Sequence, residues 1–210
     1  MRRLRCRGVT PSRPFRPLTS HRAISLLLAT LWSAGSACIG DAPLKGVAID
    51  PPRELPSFVF TLPSGATFDT TPDGMRPTVL FFGYTHCPDV CPTTLVDWTR
   101  VRKQLGRRGD NVRFVFVTVD PMRDTPAIAD RYAKQFDSTF VGVSGDSATT
   151  ARIMQAFGVA AARESSTDSA RYLVSHSAQT FLVDAKGRLV AMYSFGMGWD
   201  ALAADLESMF

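Results

Sequence analysis

Short β-prone runs alternate with longer helical segments between residues 78 and 157 of this 210-residue chain. The run Thr78–Phe82 (TVLFF) is apolar after its first residue, as in a strand that is buried on both faces. In Pro92–Leu105, apolar residues recur at three- and four-residue steps, the spacing of an amphipathic helix. Strands that alternate with helices of this length predict βαβ units. We predict strands at Thr78–Phe82, Val112–Val119 and Phe140–Val143, and helices at Pro92–Leu105, Pro126–Phe136 and Ala148–Phe157.

Two predicted hairpins extend this pattern at its ends. Their strands are Phe58–Thr61 with Ala66–Phe68, and Gln179–Val183 with Leu189–Tyr193 around the turn Asp184–Gly187. A final helix is predicted from about Trp199. From Thr78 onward the predicted order is β-α-β-α-β-α-β-β-α, which contains the thioredoxin arrangement with insertions. The sequence therefore predicts an α/β, thioredoxin-like fold, in which helices flank a central mixed β-sheet, with an N-terminal hairpin.

The positive net charge of +5 comes from the start of the chain. Residues 1–37 hold seven arginines and no acidic residue, so the remainder has 17 basic and 19 acidic side chains and a net charge of −2. No basic stripe is left for a phosphate backbone. We therefore predict no nucleic-acid partner.

The same 37 residues have the layout of a secretory signal peptide. The arginine-rich start is followed by the apolar run Ala23–Trp32 and then by small residues up to Ala37. The apolar run is shorter than the roughly 20 residues of a comfortable membrane span. An uncleaved anchor helix is the alternative. Both a cleaved signal peptide and an uncleaved anchor predict that the globular part is exported.

Cys38 directly follows the small residues and resembles the lipidated cysteine of a bacterial lipobox, although Gly35 stands where that motif usually has Leu. Cleavage without lipidation is the alternative, but it would leave an unpaired thiol in an oxidising compartment. We predict a signal peptide at residues 1–37, a lipid-anchored tether or linker at 38–53, rich in Pro and Gly, and one domain at 54–210. The protein is thus expected on the periplasmic or outer-surface side of the cell membrane.

Chemistry is concentrated at Cys87 and Cys91, the two cysteines of the predicted domain. Each is followed by proline, which disfavours helical backbone at the cysteine, so we expect both thiols on a loop. The helix after Pro92 directs its positive end at Cys91 and favours the thiolate. A structural disulfide would close too short a loop to stabilise the fold appreciably. A redox dithiol and a metal site remain as interpretations.

An imidazole would favour the metal site. We predict His176 in a loop before the strand Gln179–Val183, at an edge of the sheet that in this fold faces the start of the first helix. His86 can point away from its neighbour Cys87. Two thiolates and one imidazole suit Cu(I), and also Cu(II) with an added ligand. Zinc is the rival, but a structural zinc site uses four protein ligands.

These residues resemble the Sco/SenC family of copper chaperones. The resemblance rests on Gly83–Pro92 (GYTHCPDVCP), on Val119–Pro126 (VDPMRDTP) and on His176 ahead of residues 181–184 (FLVD), and it covers about residues 54–210. It implies that Cys87, Cys91 and His176 bind one copper ion. It also implies delivery of copper to, or reduction of, the binuclear copper centre of cytochrome c oxidase subunit II or another copper acceptor.

The alternative function is an exported thiol-disulfide oxidoreductase that uses Cys87 and Cys91 without metal. Such enzymes carry a cis-proline beside the dithiol, and this chain has no proline after Pro126. We therefore expect a metallochaperone rather than an enzyme, with thiol-disulfide reductase activity as a possible addition. Four further residues are predicted either to support or dock at the site or to serve turn and cap structure: Tyr84, Asp89, Asp120 and Asp124.

Overall fold

The computed structural model describes residues 43–70, 76–168 and 171–210. Ten strands and four helices follow one another along these residues. The strands are β1 (Val47–Glu54), β2 (Val59–Thr61), β3 (Thr67–Asp69), β4 (Thr78–Gly83), β5 (Arg113–Thr118), β6 (Val141–Val143), β7 (Ala161–Arg163), β8 (Val174–His176), β9 (Thr180–Val183) and β10 (Arg188–Tyr193). The helices are α1 (Val90–Leu105), α2 (Pro126–Lys134), α3 (Ser147–Phe157) and α4 (Trp199–Glu207), and a 3₁₀ segment, Gly106–Asn111, follows α1.

Six of the strands form one mixed sheet in the order β1-β10-β9-β4-β5-β6. Strands β4, β5 and β6 are parallel, whereas β9 is antiparallel to β4 and β10 is antiparallel to β9. Strands β2 and β3 pair as the predicted N-terminal hairpin. The predicted fold class, a thioredoxin-like α/β fold with a central mixed sheet between helices, is confirmed.

Strand β4 is the centre of the core, and all six of its residues are buried. Its alternate side chains enter two apolar clusters on opposite faces of the sheet. Val79 and Phe81 pack with α1, α2 and α4, while Leu80 and Phe82 pack with α3 and the β2–β3 hairpin. Burial on both faces explains why this strand reads as a continuous apolar run.

Strand β1 corrects one sequence expectation. Residues 47–54 were expected to belong largely to a tether, but they pair with β10 at the edge of the main sheet. Nearly every residue of β1 is exposed, and it contains Pro51 and Pro52, which an edge strand tolerates because one side of it needs no ladder hydrogen bonds. The strand therefore carries neither an apolar run nor a clean alternation.

The β7–β8 hairpin was not predicted either. It forms a two-stranded sheet of its own, in which Ala161 lies opposite His176. His176 therefore ends a strand, where the sequence had predicted a loop. Each strand has three residues, as in the β2–β3 hairpin, but ten residues, 164–173, separate the two strands, so no tight turn marks the hairpin in the sequence.

The predicted signal peptide and Cys38 lie outside the described residues, as do residues 39–42 of the predicted tether. Within the described part of the chain, no helix combines the length and the hydropathy needed to cross a membrane.

Candidate metal centre

Cys87, Cys91 and His176 lie together beyond the carboxyl end of the central strand β4. Each offers one ligand atom, and the three atoms lie within 4.8 Å of one another. Cys87 lies on the loop after β4, Cys91 is the second residue of α1, and His176 is the last residue of β8. Three separate elements thus supply the three side chains.

Helix α1 starts two residues earlier than predicted, which moves Cys91 from the expected loop into the first turn of the helix. The backbone N–H of Cys91 donates to the Cys87 sulfur at 3.4 Å. The N–H of Cys87 in turn donates to the Tyr84 carbonyl at 3.2 Å. The first turn of α1 therefore directs a backbone donor at the Cys87 sulfur, which favours the thiolate.

The two thiols differ in burial and in acidity. Cys87 is half-buried, and its pKa is lowered to about 5, mainly because the Cys91 thiol donates a hydrogen bond to it. Cys91 is fully buried in the apolar core, and its pKa is raised by that same hydrogen bond and by burial. At neutral pH the metal-free site thus holds one thiolate, on Cys87, and one thiol, on Cys91.

The His176 ring has its coordinating nitrogen turned towards the sulfurs. Its Nε2 lies 3.5 Å from the Cys91 sulfur, and its Nδ1 lies 3.0 Å from the Ser177 carbonyl oxygen. Since a carbonyl only accepts, Nδ1 carries the proton and Nε2 presents a lone pair to the site. Phe81 and Tyr84 pack edge-on against the ring, with centroids 5.9 and 5.8 Å away.

Gly83, the last residue of β4, leaves room for Cys91. A Cβ added at Gly83 would lie 2.7 Å from the Cys91 sulfur and under 3 Å from the Phe81 and Phe116 rings. Strand β4 passes so close to the Cys91 sulfur that only glycine, which has no side chain, fits at position 83.

The sequence profile of the SCO1/SenC family matches residues 48–210, which include the whole site. The chain belongs to the SCO1/SenC family.

Relatives of this SCO1/SenC chain include proteins of known structure. Apo Sco1 of Thermus thermophilus is 37% identical with a TM-score of 0.72, covering 80% of this chain and 98% of that one. ScoI of Bradyrhizobium japonicum, solved with copper bound, is 35% identical with a TM-score of 0.67, covering 75% and 99%. A SCO2-like protein of Rickettsia felis is 36% identical over 111 residues, 52% of this chain and 54% of that protein, so the match spans about half of that relative's length.

The donor set of this SCO1/SenC chain fits copper. Thiolate and imidazole are the soft and borderline ligands that copper prefers, and the fixed Nδ1–H leaves Nε2 for a metal. Within the described residues, no further Cys, His or carboxylate joins the group of three. A structural zinc site would use four protein ligands.

Asp124 connects the cysteine loop to the turn after β5. This fully buried carboxylate accepts hydrogen bonds from the Thr85 N–H at 2.9 Å, the Thr85 hydroxyl at 2.6 Å and the Thr118 hydroxyl at 2.7 Å. His86 is exposed, and its Nδ1 lies 3.1 Å from the Thr85 hydroxyl oxygen. Asp124 thus supports the loop that carries Cys87, and His86 lies outside the group of three.

The other three predicted supporting residues differ in their positions. Tyr84 is buried and contacts the His176 ring, while Asp89 is exposed and precedes α1 without a side-chain capping bond. Asp120 is buried, and its carboxylate accepts a hydrogen bond from the Tyr172 hydroxyl at 2.7 Å and pairs with Arg123. The sequence interpretation gave no role to Gly83, Arg123 or Tyr172. Gly83 and Arg123 lie inside two of the three motifs that indicated the family, so these motifs were the available signal.

Proposed function

We propose that this chain binds one copper ion through Cys87, Cys91 and His176 and passes it to an acceptor protein. The convergence of the three ligand atoms within 4.8 Å carries the proposal. Copper is the cargo of the protein in this function. The copper-bound Bradyrhizobium relative supports the choice of metal.

The protonation state of the metal-free site suits copper capture. Cys87 is already a thiolate at neutral pH, so the first sulfur–copper bond displaces no proton. Cys91 must lose its proton when copper binds, so binding becomes more favourable as the pH rises. Two thiolates and one imidazole then hold Cu(I), and an added ligand would be needed for Cu(II).

The proposed acceptor is the binuclear copper centre of cytochrome c oxidase subunit II, to which the protein would donate copper or electrons. The family membership supports this assignment. We also propose that the domain acts outside the cytoplasm, tethered to the membrane through lipidated Cys38, as the leader sequence indicates.

A thiol-disulfide reaction without metal is the second candidate function. The lowered pKa of Cys87 favours it, because the thiolate is the nucleophile in disulfide exchange. The same two sulfurs would serve both functions, so a Cys87–Cys91 disulfide and bound copper exclude each other. His176 separates the two candidates, since exchange between sulfurs requires no imidazole.

Measurement of bound copper in purified variants tests the ligand set. Cys87→Ser, Cys91→Ser and His176→Ala should each lower Cu(I) affinity steeply, because each removes one ligand. His86→Ala is the matched control: it removes an imidazole next to Cys87 that lies outside the site, and it should bind copper like the wild type. Full copper retention in His176→Ala would contradict the three-ligand proposal.

Oxidase activity in cells tests delivery against thiol chemistry. Cells that carry His176→Ala should lose oxidase activity at low copper and regain part of it at high copper, because excess metal loads the acceptor without a carrier. Normal activity at low copper would instead favour the thiol function.

A further inference from the structure

The hairpin that carries His176 is separate from the sheet that supports the cysteines. Strands β7 and β8 pair with each other and lie outside the six-stranded sheet. Main-chain ladder hydrogen bonds between strands therefore do not fix His176 relative to Cys87 and Cys91. The short chain connection from His176 to β9 and the contacts from the hairpin to the rest of the domain set this distance.

A cluster of the buried Asp120 and Tyr172 and the partly buried Arg123 supplies such contacts. Arg123 pairs through Nε with the Asp120 carboxylate and donates from Nη1 to the Tyr172 carbonyl oxygen at 2.9 Å. Its guanidinium lies over the Tyr172 ring, 3.5 Å from the centroid. The Tyr172 hydroxyl donates back to Asp120 at 2.7 Å. Tyr172 lies two residues before β8, so this cluster binds the start of the strand that ends in His176.

The turn that supplies Asp120 and Arg123 also holds the cysteine loop. The N–H groups of Arg123 and Asp124 both donate to the Asp120 carbonyl, at 3.1 and 2.9 Å. These hydrogen bonds stabilise the turn. Asp124 accepts two hydrogen bonds from Thr85, two residues before Cys87. One turn thus binds the hairpin through Arg123 and the cysteine loop through Asp124.

We infer that Arg123 is a positioning residue for copper binding, which acts by holding the His176 hairpin at the distance where the imidazole meets the two sulfurs. This inference rests on the proposed function. Tyr84 also connects Arg123 with the His176 ring. The Tyr84 ring contacts the His176 ring, and its centroid lies 5.7 Å from Cζ of Arg123. A planar guanidinium is needed, since a lysine at this position would keep the charge beside Asp120 but lose the stacking and the second hydrogen bond.

A double-mutant cycle on Cu(I) affinity tests this role. Arg123→Lys should weaken Cu(I) binding about 10-fold, the lower end of the range for residues that bond directly to metal ligands, because Arg123 acts on His176 through the hairpin. In a His176→Ala background the same change should alter the affinity by less than about twofold, because no imidazole is left to position. Equal losses in both backgrounds, or no loss in the His176 background, would overturn the inference. Tyr172→Phe, which keeps the ring and loses only the hydroxyl, should show the same pattern with a smaller loss.

A metal-free measurement separates this inference from the proposed function. Diethyl pyrocarbonate should modify His176 faster in Arg123→Lys than in the wild type, read by mass spectrometry, because the hairpin is released. Arg163→Gln is the control, since Arg163 contacts the other side of the Tyr172 ring, 3.8 Å from the centroid, from within the hairpin itself. Its labelling rate should equal that of the wild type. Unchanged His176 labelling in Arg123→Lys would overturn the inference whether or not the wild type binds copper, whereas a wild type without copper affinity would overturn the proposed function alone.

Discussion

The two cysteines are chemically unequal although they belong to one short motif. Cys87 is half-buried and is the acceptor of the hydrogen bonds that lower its pKa, while Cys91 is fully buried and donates to it. The sequence predicted that the positive end of the helix dipole acts on the Cys91 thiol. In the structure, α1 begins at Val90 and includes Cys91, so the backbone N–H of Cys91 donates to the Cys87 sulfur instead.

Alkylation of the metal-free protein should show this inequality. The pKa of Cys87 is about 5, so the thiolate forms as the pH rises through about 5 and is complete at pH 7. The rate of Cys87 modification by iodoacetamide should therefore rise with a midpoint near pH 5, while Cys91 stays unmodified at pH 7. Peptide mass spectrometry across a pH series measures both rates.

The matched control for this experiment is Cys91→Ala. It removes the thiol that contributes most to the lowered pKa, so the Cys87 midpoint should move upward, towards the ordinary value of 9. Equal modification of both cysteines at pH 7 in the wild type would contradict the assignment of thiolate and thiol.

Gly83→Ala tests the close approach of β4 to the site. The added methyl would lie 2.7 Å from the Cys91 sulfur and must displace it, so we expect a loss of about 1–3 kcal/mol in the free energy of unfolding together with weaker copper binding. Urea unfolding and Cu(I) competition measure the two effects. Gly145→Ala, whose Cβ would meet the Thr149 side chain at 3.0 Å, should leave copper affinity unchanged. If Gly83→Ala bound copper like the wild type, Gly83 would have no part in the site.

At the scale of elements, the sequence predicted those whose pattern comes from burial. Strand β4 is buried on both faces and α1 presents an apolar stripe to the core, so both were evident. Strand β1 was missed because it is exposed at the edge, and the β7–β8 hairpin because a ten-residue connection, 164–173, separates its two short strands instead of a tight turn. The alternation of strands and helices thus indicated the fold, but not the element that carries His176.

Placement of Cys91 inside α1 predicts unequal stability costs for the two cysteine variants. Cys91 packs against the apolar core with no exposed surface, so Cys91→Ser would bury a hydroxyl there and cost about 1–3 kcal/mol of unfolding free energy. Cys87→Ser should cost much less, because Cys87 is half-buried on the loop. Urea unfolding of both metal-free variants measures the difference. Equal costs would contradict the burial of Cys91 in the native state.

For the whole molecule, the site is assembled from three parts of the chain that meet at one edge of the sheet. The parallel strands β4 and β5 both end there, so the position of the cysteine loop beside the Asp120–Asp124 turn follows from the topology. The residue types of the three ligands were evident from sequence. The Arg123–Tyr172 contact joins residues 49 positions apart across an unpredicted hairpin, so no local pattern could indicate it.

The proposed attachment of the protein to the membrane gives the last prediction. Cys38 follows a run of small residues, and its proposed lipidation would anchor the domain to the membrane. Cys38→Ser should therefore move the protein from the membrane fraction to the soluble exported fraction, as measured by fractionation and immunoblotting. Cys6→Ser is the matched control, because Cys6 lies in the arginine-rich start and should not affect attachment. If Cys38→Ser stayed in the membrane fraction, the apolar run Ala23–Trp32 would instead be an uncleaved anchor. The copper site should be unaffected in both variants, since its three ligands belong to the folded domain.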